Sequence, residues 1–369
     1  MRVVIAGGGT GGHLYPGLAL AQAVLRRHPE ADILFIGTER GLESRVVPAH
    51  GFALYTLSIR GLQRSLSMQN LLFPFRLAGS FVKSVLKLLA FKPDLVIGTG
   101  GYVAGPPLFA AKLLRIPAVI QEQNSYPGLV NRLLGKRVDA VFLTFAAARP
   151  FFAGQKNIFI TGNPVLMGRA QKSREQSCQE LGFDPARKTL LVFGGSQGAK
   201  RINEIVAGAL AQIFQLDEVQ IIWIVGPAWQ KTWQHLEAEH GGRLRVLGYV
   251  DDMASVYNLT DLAVCRAGAM TISELTLFGI PAIYIPLPGA TADHQTANAR
   301  AVVAAGGGLM TAQSELSAEK LAALVTAVLT DEKKLQALAQ GARELARPNA
   351  AEEIISRCEK VAALRKAAQ

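Results

Sequence analysis

The stretch VVIAGGGTGGHLYPG, residues 3–17, decides how this chain folds. Three apolar residues, Val3, Val4 and Ile5, run straight into a glycine turn, and a helical pattern follows. Five of the six residues 7–12 are glycine. Such a turn between a strand and a helix gathers backbone N–H groups at the positive helix end, so it reads as a cradle for phosphate. The same order, strand then turn then helix, opens a parallel α/β domain. Gly7, Gly9 and Gly12 also satisfy G-x-G-x-x-G. A dinucleotide site of that pattern wants an acidic residue ending the second strand. Here that strand ends Phe35-Ile36-Gly37-Thr38, and Glu39 comes late. This counts against a dinucleotide. A different phosphate, or a turn that only lets helix and sheet pack, are the other readings.

His13 falls in the first turn of the expected helix. The positive helix end disfavours an imidazolium there. A neutral imidazole can accept a proton, which suits a general base. A first-turn histidine that merely caps or packs is the alternative.

Working outward, short apolar runs alternate with helical patterns. Strands are expected at residues 3–6, 33–37, 95–98, 118–121, 140–143 and 158–161, then at 190–193, 221–225, 245–247, 262–265 and 282–285. Apolar runs without alternation suit parallel strands buried on both faces. LLVFGGSQGAKRIN, residues 190–203, repeats the strand, glycine turn and helix of the opening. Two such starts predict an α/β chain of two doubly wound, parallel-sheet domains with a cleft between them. Asn163-Pro164 breaks regular structure, so the domains are set at 1–162 and 163–346. The alanine-rich tail from 331 onward reads as helix. Residues 347–369 either close the second domain or return to the first.

The 369 residues suit two cores rather than one. Half are hydrophobic and 18% are charged, which describes a folded globular protein. The net charge of +11 predicts an anionic partner: nucleic acid, an anionic membrane or a phosphorylated substrate. No nucleic-acid recognition motif appears. Cys178, Cys265 and Cys358 stand far apart and suggest neither a disulfide framework nor a zinc site. His235 and His240 do not share a helical face, there is no HExxH, and no metal is expected. No leader pattern and no uncharged apolar run long enough to span a bilayer occur.

Two further stretches lie at strand ends of the first half, DLVIGTGGYVAGP (94–106) and VIQEQNSYPGLVNRLLGKRVD (119–139). The C-terminal ends of parallel strands converge on one crevice, so Tyr102, Glu122, Asn124 and Asn131 are expected to face it; loop capping is the alternative for each. In the second half, Arg266, Gly268 and Thr271 describe a tight turn entering a helix. Its N–H groups suit a diphosphate, with Ser196 beside it. Glu274, one turn into that helix, suits two ribose hydroxyls, or it simply stabilises the helix start. Asp293, His294, Gln295 and Asn298 supply groups suited to a sugar. No Asp-x-Asp occurs, so leaving-phosphate charge falls to backbone dipoles and cations.

Residues 44–93 contain no Asp or Glu but seven Lys and Arg. Within LLFPFRLAGSFVKSVLKLLAF (71–91), Arg76, Ser80, Lys83, Ser84 and Lys87 share one helical face; Leu77, Phe81, Val85 and Leu88 share another. Either that apolar face is core, or a helix tip with Leu72, Phe73 and Phe75 dips into an anionic bilayer beside Arg76.

Seven motifs, GGGTGGH, GTGGYVAGP, QEQN, TGNPV, GGSQGA, CRAGAMTISE and DHQTANA, span residues 7–299 in series. Together they resemble the MurG family of bacterial N-acetylglucosamine transferases. The resemblance implies a GT-B fold, two Rossmann-like domains with the active site between them. It implies inverting, metal-independent transfer, without cofactor, from UDP-N-acetylglucosamine to the C4 hydroxyl of undecaprenyl-diphospho-muramoyl-pentapeptide. It also implies a peripheral protein on the cytoplasmic face of the bacterial plasma membrane. On the family pattern the Val250 backbone meets uracil, Glu274 the ribose, and Ser196 with Ala269, Met270 and Thr271 the diphosphate. Gln295 and Asn298 meet the sugar, and Arg266 helps the departing UDP. Thr10, Gly11, Gly12 and Asn124 reach donor or acceptor. Gly9, Tyr102 and Asn131 are acceptor-side, and the first glycine loop takes the acceptor's diphosphate. Two departures stand out. Leu166 replaces an arginine the family often has after GNPV, with Arg169 three residues on. Gln121 replaces a histidine some members have before E-Q-N, which shifts the base to His13, with Glu122 next in line. Rival readings are another lipid glycosyltransferase, a nicotinamide oxidoreductase, and a sugar-nucleotide sensor without turnover.

Overall fold

The structure, a computed structural model, describes residues 1–59, 73–166, 172–290 and 293–367. The chain divides into two compact units, Met1–Leu166 with Arg347–Gln369, and Met167–Ala346.

The first unit is built on a seven-stranded sheet. Its strands are β1 (Arg2–Gly7), β2 (Asp32–Thr38), β3 (Ala53–Leu57), β4 (Leu95–Gly100), β5 (Ala118–Glu122), β6 (Ala140–Leu143) and β7 (Ile158–Ile160). Their order is β3-β2-β1-β4-β5-β6-β7, all parallel. The winding reverses between β1 and β4, and ligands of open parallel sheets bind at such a switch point. Val3, Val4, Ile5 and Ala6 of β1 are fully buried, as expected for a central strand covered by helices on both faces. The helices that matter below are α1 (Gly11–Arg27), α2 (Phe73–Phe91), α3 (Gly105–Leu113) and α4 (Leu129–Leu134).

The second unit repeats the plan with six strands: β8 (Lys188–Phe193), β9 (Val219–Ile224), β10 (Leu244–Leu247), β11 (Leu262–Cys265), β12 (Ala282–Tyr284) and β13 (Gly308–Met310). The order is β10-β9-β8-β11-β12-β13, again parallel, with the switch between β8 and β11. Phe193 pairs with Cys265, so the turns after β8 and β11 leave the sheet side by side. They lead into α5 (Lys200–Ile213) and α6 (Ala269–Phe278).

The last helix, α7 (Ala350–Ala367), belongs to the first unit. Ile354, Ile355 and Cys358 lie in one core cluster with Leu14, Leu18 and Val24 of α1. Arg26 pairs with Glu352 at 2.8 Å and Arg27 with Glu359 at 2.7 Å. Arg365 pairs with Asp139 at 2.7 Å.

Strands β3 and β13 are absent from the sequence expectation. Both are sheet edges, and both carry half-exposed side chains that dilute the apolar signal. The helix at 71–91 also needs correction. Ser80 and Ser84, grouped above with the basic face, point inward, and Ser84 Oγ donates to the Ser80 carbonyl at 2.7 Å. Small residues let α2 pack closely on α3, where Phe81 meets Phe109 with ring centroids 5.3 Å apart.

Candidate active site

The first glycine loop leaves β1 at the switch point. Gly9, Thr10 and Gly12 are exposed. Thr10 is the N-cap of α1 but makes no side-chain cap, and the first turn holds no acidic residue. The same holds behind the other glycine turns, where Ala199 caps α5 and Gly268 caps α6. By contrast Ser173, Asp252, Ser317 and Asp331 cap four helices of the second unit with their side chains. Helix starts that close glycine turns are left open to an external anion.

Behind the first loop lies Glu43, a carboxylate that sequence reasoning missed. It is 1% exposed. It accepts from the Thr38 backbone N–H at 2.8 Å, the Thr38 hydroxyl at 2.7 Å and the Gly9 N–H at 3.1 Å. A Cβ on Gly37 would lie 2.6 Å from the Glu43 Cγ, and one on Gly8 or Gly41 would strike the carboxylate itself. Glycines thus form its socket. Burial opposes its charge, but the hydrogen bonds from Thr38 and the backbone win and hold it below the usual carboxylate range. This acid grips the loop's own backbone from behind, which leaves it no access to a ribose.

His13 lies on the glycine turn after β4. A Cβ on Gly100 (φ +112°) would come 2.7 Å from His13 Nδ1, and one on Gly101 (φ +79°) 2.6 Å from the Gly8 carbonyl. The GTGG sequence is therefore room for an imidazole and for the first loop. His13 Nδ1 lies 3.0 Å from Gln123 Oε1. Tyr102, in the short turn that follows, is exposed.

Glu122 is buried at the end of β5. It accepts from the Asn124 backbone at 2.9 Å, the Gly128 backbone at 3.0 Å and Asn131 Nδ2 at 2.8 Å. With its oxygens engaged, Glu122 holds the 122–131 segment together and is poorly placed to take a proton. Asn131 is buried behind it, and Asn124 is half-exposed.

In the second unit, Ser196 is exposed on its turn. Gly198 (φ +73°) lies against the Val225 carbonyl, where no side chain fits. Met270, Thr271, Gln295 and Val250 are partly exposed, Glu274 is largely covered with part of its surface open, and Ala269 is buried. Val250 follows β10. Glu274 Oε2 accepts from the Tyr257 hydroxyl at 2.9 Å. Burial pushes its carboxyl up to about 7. Two of the expected ligand contacts also brace their own loops. Asn298 is fully buried and donates to the Ala267 carbonyl at 3.2 Å. Arg266 donates to the Ile285 and Pro286 carbonyls at 3.1 and 3.0 Å and to Gln313 Oε1 at 2.6 Å. No carboxylate pairs with Arg266 among the described residues, so its charge stands at the start of α6 unneutralised. Gln295 Oε1 accepts from the Leu287 N–H at 2.9 Å, and Asp293 adopts a left-handed φ of +52°. Among the described residues no three metal-ligating side chains come together. Leu72 and Arg169 lie outside the described residues.

Comparison with known proteins decides the family. The glycosyltransferase family 28 N-terminal domain matches residues 3–143, and the corresponding C-terminal domain matches 189–354. The UDP-N-acetylglucosamine--N-acetylmuramyl-(pentapeptide) pyrophosphoryl-undecaprenol N-acetylglucosamine transferase of Myxococcus xanthus is 43% identical, covering 97% of this chain and 92% of its own. That of Desulfitobacterium hafniense is 41% identical, covering 97% and 98%. The crystal structure of Acinetobacter baumannii MurG matches with a TM-score of 0.78 and 32% identity, over 97% of this chain and 99% of that one. The chain belongs to the MurG family.

Its fold is GT-B, two doubly wound parallel-sheet units in one chain, and it is a hexosyltransferase. A UDP-N-acetylglucosamine 2-epimerase of Neisseria meningitidis shares only the fold, at 15% identity and a TM-score of 0.65. This MurG-family chain also exposes an apolar strip on its first unit. Phe75, Val82, Leu86 and Leu89 of α2 are 52–75% exposed, and Phe109 and Leu113 of α3 and Leu129 and Leu133 of α4 are 47–62% exposed. Lys83, Lys112, Arg115 and Lys136 are exposed on or beside the same helices. Phe73 and Arg76 are half-buried. Among the described residues no helix is long and apolar enough to cross a membrane.

Proposed function

We propose that this chain transfers N-acetylglucosamine from UDP-N-acetylglucosamine to the C4 hydroxyl of undecaprenyl-diphospho-N-acetylmuramoyl-pentapeptide, with inversion at the anomeric carbon. The observation that carries this reading is the pair of open helix starts in different units, one beside a histidine and one beside a carboxylate. The names of the relatives supply the two substrates.

In the second unit the 194–198 turn and the start of α6 bind the UDP diphosphate through backbone N–H groups, Ser196 and Thr271. Glu274, once ionised, accepts from the two ribose hydroxyls. The Val250 backbone meets the uracil, and Gln295 meets the sugar. Arg266 acts on the departing diphosphate mainly through its field, since three of its five N–H donors are taken by the Ile285 and Pro286 carbonyls and Gln313 Oε1. Asn298 keeps the turn before α6 in shape. In the first unit Gly9, Thr10, Gly11 and Gly12 receive the acceptor's diphosphate, and Tyr102 and Asn124 flank it. His13 takes the proton of the attacking hydroxyl. Purified protein given radiolabelled donor and the lipid-linked muramoyl acceptor should yield a disaccharide-lipid. Binding of both substrates without that product would overturn the reading.

The apolar strip on α2, α3 and α4, ringed by lysine and arginine, suits peripheral attachment to an anionic bilayer at the cytoplasmic face of the inner membrane. A polyprenyl acceptor demands such a position. Each buried large apolar side chain contributes about 1.5–3 kcal/mol. Replacing Val82, Leu86 and Leu89 together by Ser should therefore lower co-sedimentation with phosphatidylglycerol vesicles at least tenfold. Melting temperature should not fall, because these side chains are outside the core. Undiminished vesicle binding would remove this face from the proposal.

A further inference from the structure

We propose that Gln123 is the positioning residue that decides which nitrogen of His13 receives the proton. The inference rests on the reading of His13 as the base and adds a residue to it. Gln123 is 1% exposed, directly after β5. Its Nε2 donates to the Thr99 carbonyl at 2.6 Å and to Gln121 Oε1 at 2.5 Å, with the Gln121 carbonyl 3.3 Å away. Backbone carbonyls only accept, so this end of the amide must be the NH2 group. Turning the amide over would set its oxygen against two carbonyl oxygens in a buried place, which costs the desolvation of all three. The amide oxygen therefore faces His13 Nδ1, 3.0 Å away.

An amide oxygen has no proton to give. Nδ1 must carry the hydrogen, and in the neutral ring the lone pair lies on Nε2. The opposite tautomer would place two lone pairs against each other and leave no base. Gly100 leaves room for the ring in this position, since a Cβ there would lie 2.7 Å from Nδ1. No hydrogen bond among the described residues engages Nε2.

In the transfer, the acceptor's C4 oxygen bonds to C1 of the donor sugar. The bond from C1 to the diphosphate oxygen breaks, and its electron pair leaves with UDP. The hydroxyl proton goes to Nε2. The ring then carries a proton on each nitrogen, and Nδ1–H continues to donate to Gln123. A neutral amide steadies the imidazolium without drawing a proton onto the resting ring as a carboxylate would. The carboxylates packed about the loops, Glu43 and Glu122, are each occupied by their own donors.

The test reads the tautomer directly. Long-range proton–nitrogen correlation spectra of full-length protein labelled with 15N-histidine should give His13 as Nδ1–H with a bare Nε2, the signals being assigned by their loss in His13→Gln. In Gln123→Leu the tautomers should mix, kcat should drop roughly 10–100-fold as for other outer-shell partners, and KM for UDP-N-acetylglucosamine should not move. Gln123→Glu keeps an acceptor but adds charge. It should raise the acid limb of the kcat/KM profile by about 1–3 pH units, with activity returning above it. A wild-type spectrum with the proton on Nε2 overturns the proposal. So does a Gln123→Leu protein with unchanged tautomer and pH profile. If Gln123→Leu fails to fold, the wild-type spectrum and the Gln123→Glu profile still decide. A His13→Ala protein with full kcat would remove the base reading alone, since the spectrum needs no turnover.

Discussion

The two glycine loops share a place in their sheets but not an electrostatic setting. The first, at residues 7–12, has a buried carboxylate gripping it from behind, and a histidine follows it. The second, at 194–198, touches no carboxylate among the described hydrogen bonds, and Lys200 and Arg201 follow it. Glu43 occupies one N–H of the first loop and makes it a rigid shelf with a reduced pull on anions. The second loop turns one N–H inward, from Gly198 to the Gly195 carbonyl at 2.9 Å, gives none to a carboxylate among the described residues, and is followed by two cations that share Glu204. That difference suits a lipid diphosphate that must stay in place at the first loop. At the second it suits a nucleotide diphosphate that gains charge as it leaves.

The largest expected effect comes from breaking the shelf. Glu43→Gln would present an amide NH2 to donors and remove hydrogen bonds to a charged group, a loss of about 2–3 kcal/mol. The native carboxyl lies below its ordinary range, so its stabilising share is present at neutral pH and is lost as pH falls through that lowered value. Urea melts of variant and wild type should thus differ at pH 7 and converge in acid. UDP affinity should be unchanged, because the proposed UDP site is in the other unit; a weakened UDP affinity would show the two loops to be coupled.

Glu274→Gln should cut the comparison the other way. A raised carboxyl stabilises the fold below the ordinary carboxylate range, and that share is lost as pH rises through about 7. The variant should therefore melt higher than wild type at pH 8 and equal it near pH 4. Its UDP affinity should fall about 10–100-fold, the loss of charged hydrogen bonds to the ribose. Wild-type UDP binding should tighten as pH rises through 7. Equal UDP affinity of variant and wild type in calorimetric titrations would deny Glu274 the ribose.

The smallest effect belongs to the exposed cations. Lys200→Gln with Arg201→Gln should weaken UDP binding only about two- to threefold, and only at low salt. Titrations at two ionic strengths check this.

The fold was legible because parallel strands buried on both faces leave uninterrupted apolar runs, as in Val3–Ile5 and the 190–193 run. Two of its four edges, β7 and β10, were legible as well; the other two were not, and there Ala53–Leu57 and Gly308–Met310 carry partly exposed side chains that break the apolar run. In the site, glycine turns and His13 stood out by type and spacing. Glu43 did not, since its partner Gly9 is 34 residues away and offers only a backbone N–H, which no sequence pattern records. Glu122, Asn131, Asn298 and Arg266 have the residue types of ligand contacts, yet their hydrogen bonds turn inward. Sequence shows which residues can donate and accept, but which way they face depends on packing. The inward serines of α2 make the same point, for a polar residue can be chosen for its small size.

The helix α7 has a consequence for how the protein is made. The first unit is closed by residues from 347 onward, while the second is one continuous stretch. A ribosome adding about 5–20 residues per second needs roughly 10–40 s to proceed from the end of β7 to the end of α7. Through that interval the face of α1 that will meet Ile354, Ile355 and Cys358 has no cover. The second unit can fold in the meantime. The half that bears the apolar strip is completed after the other, once α7 has been made.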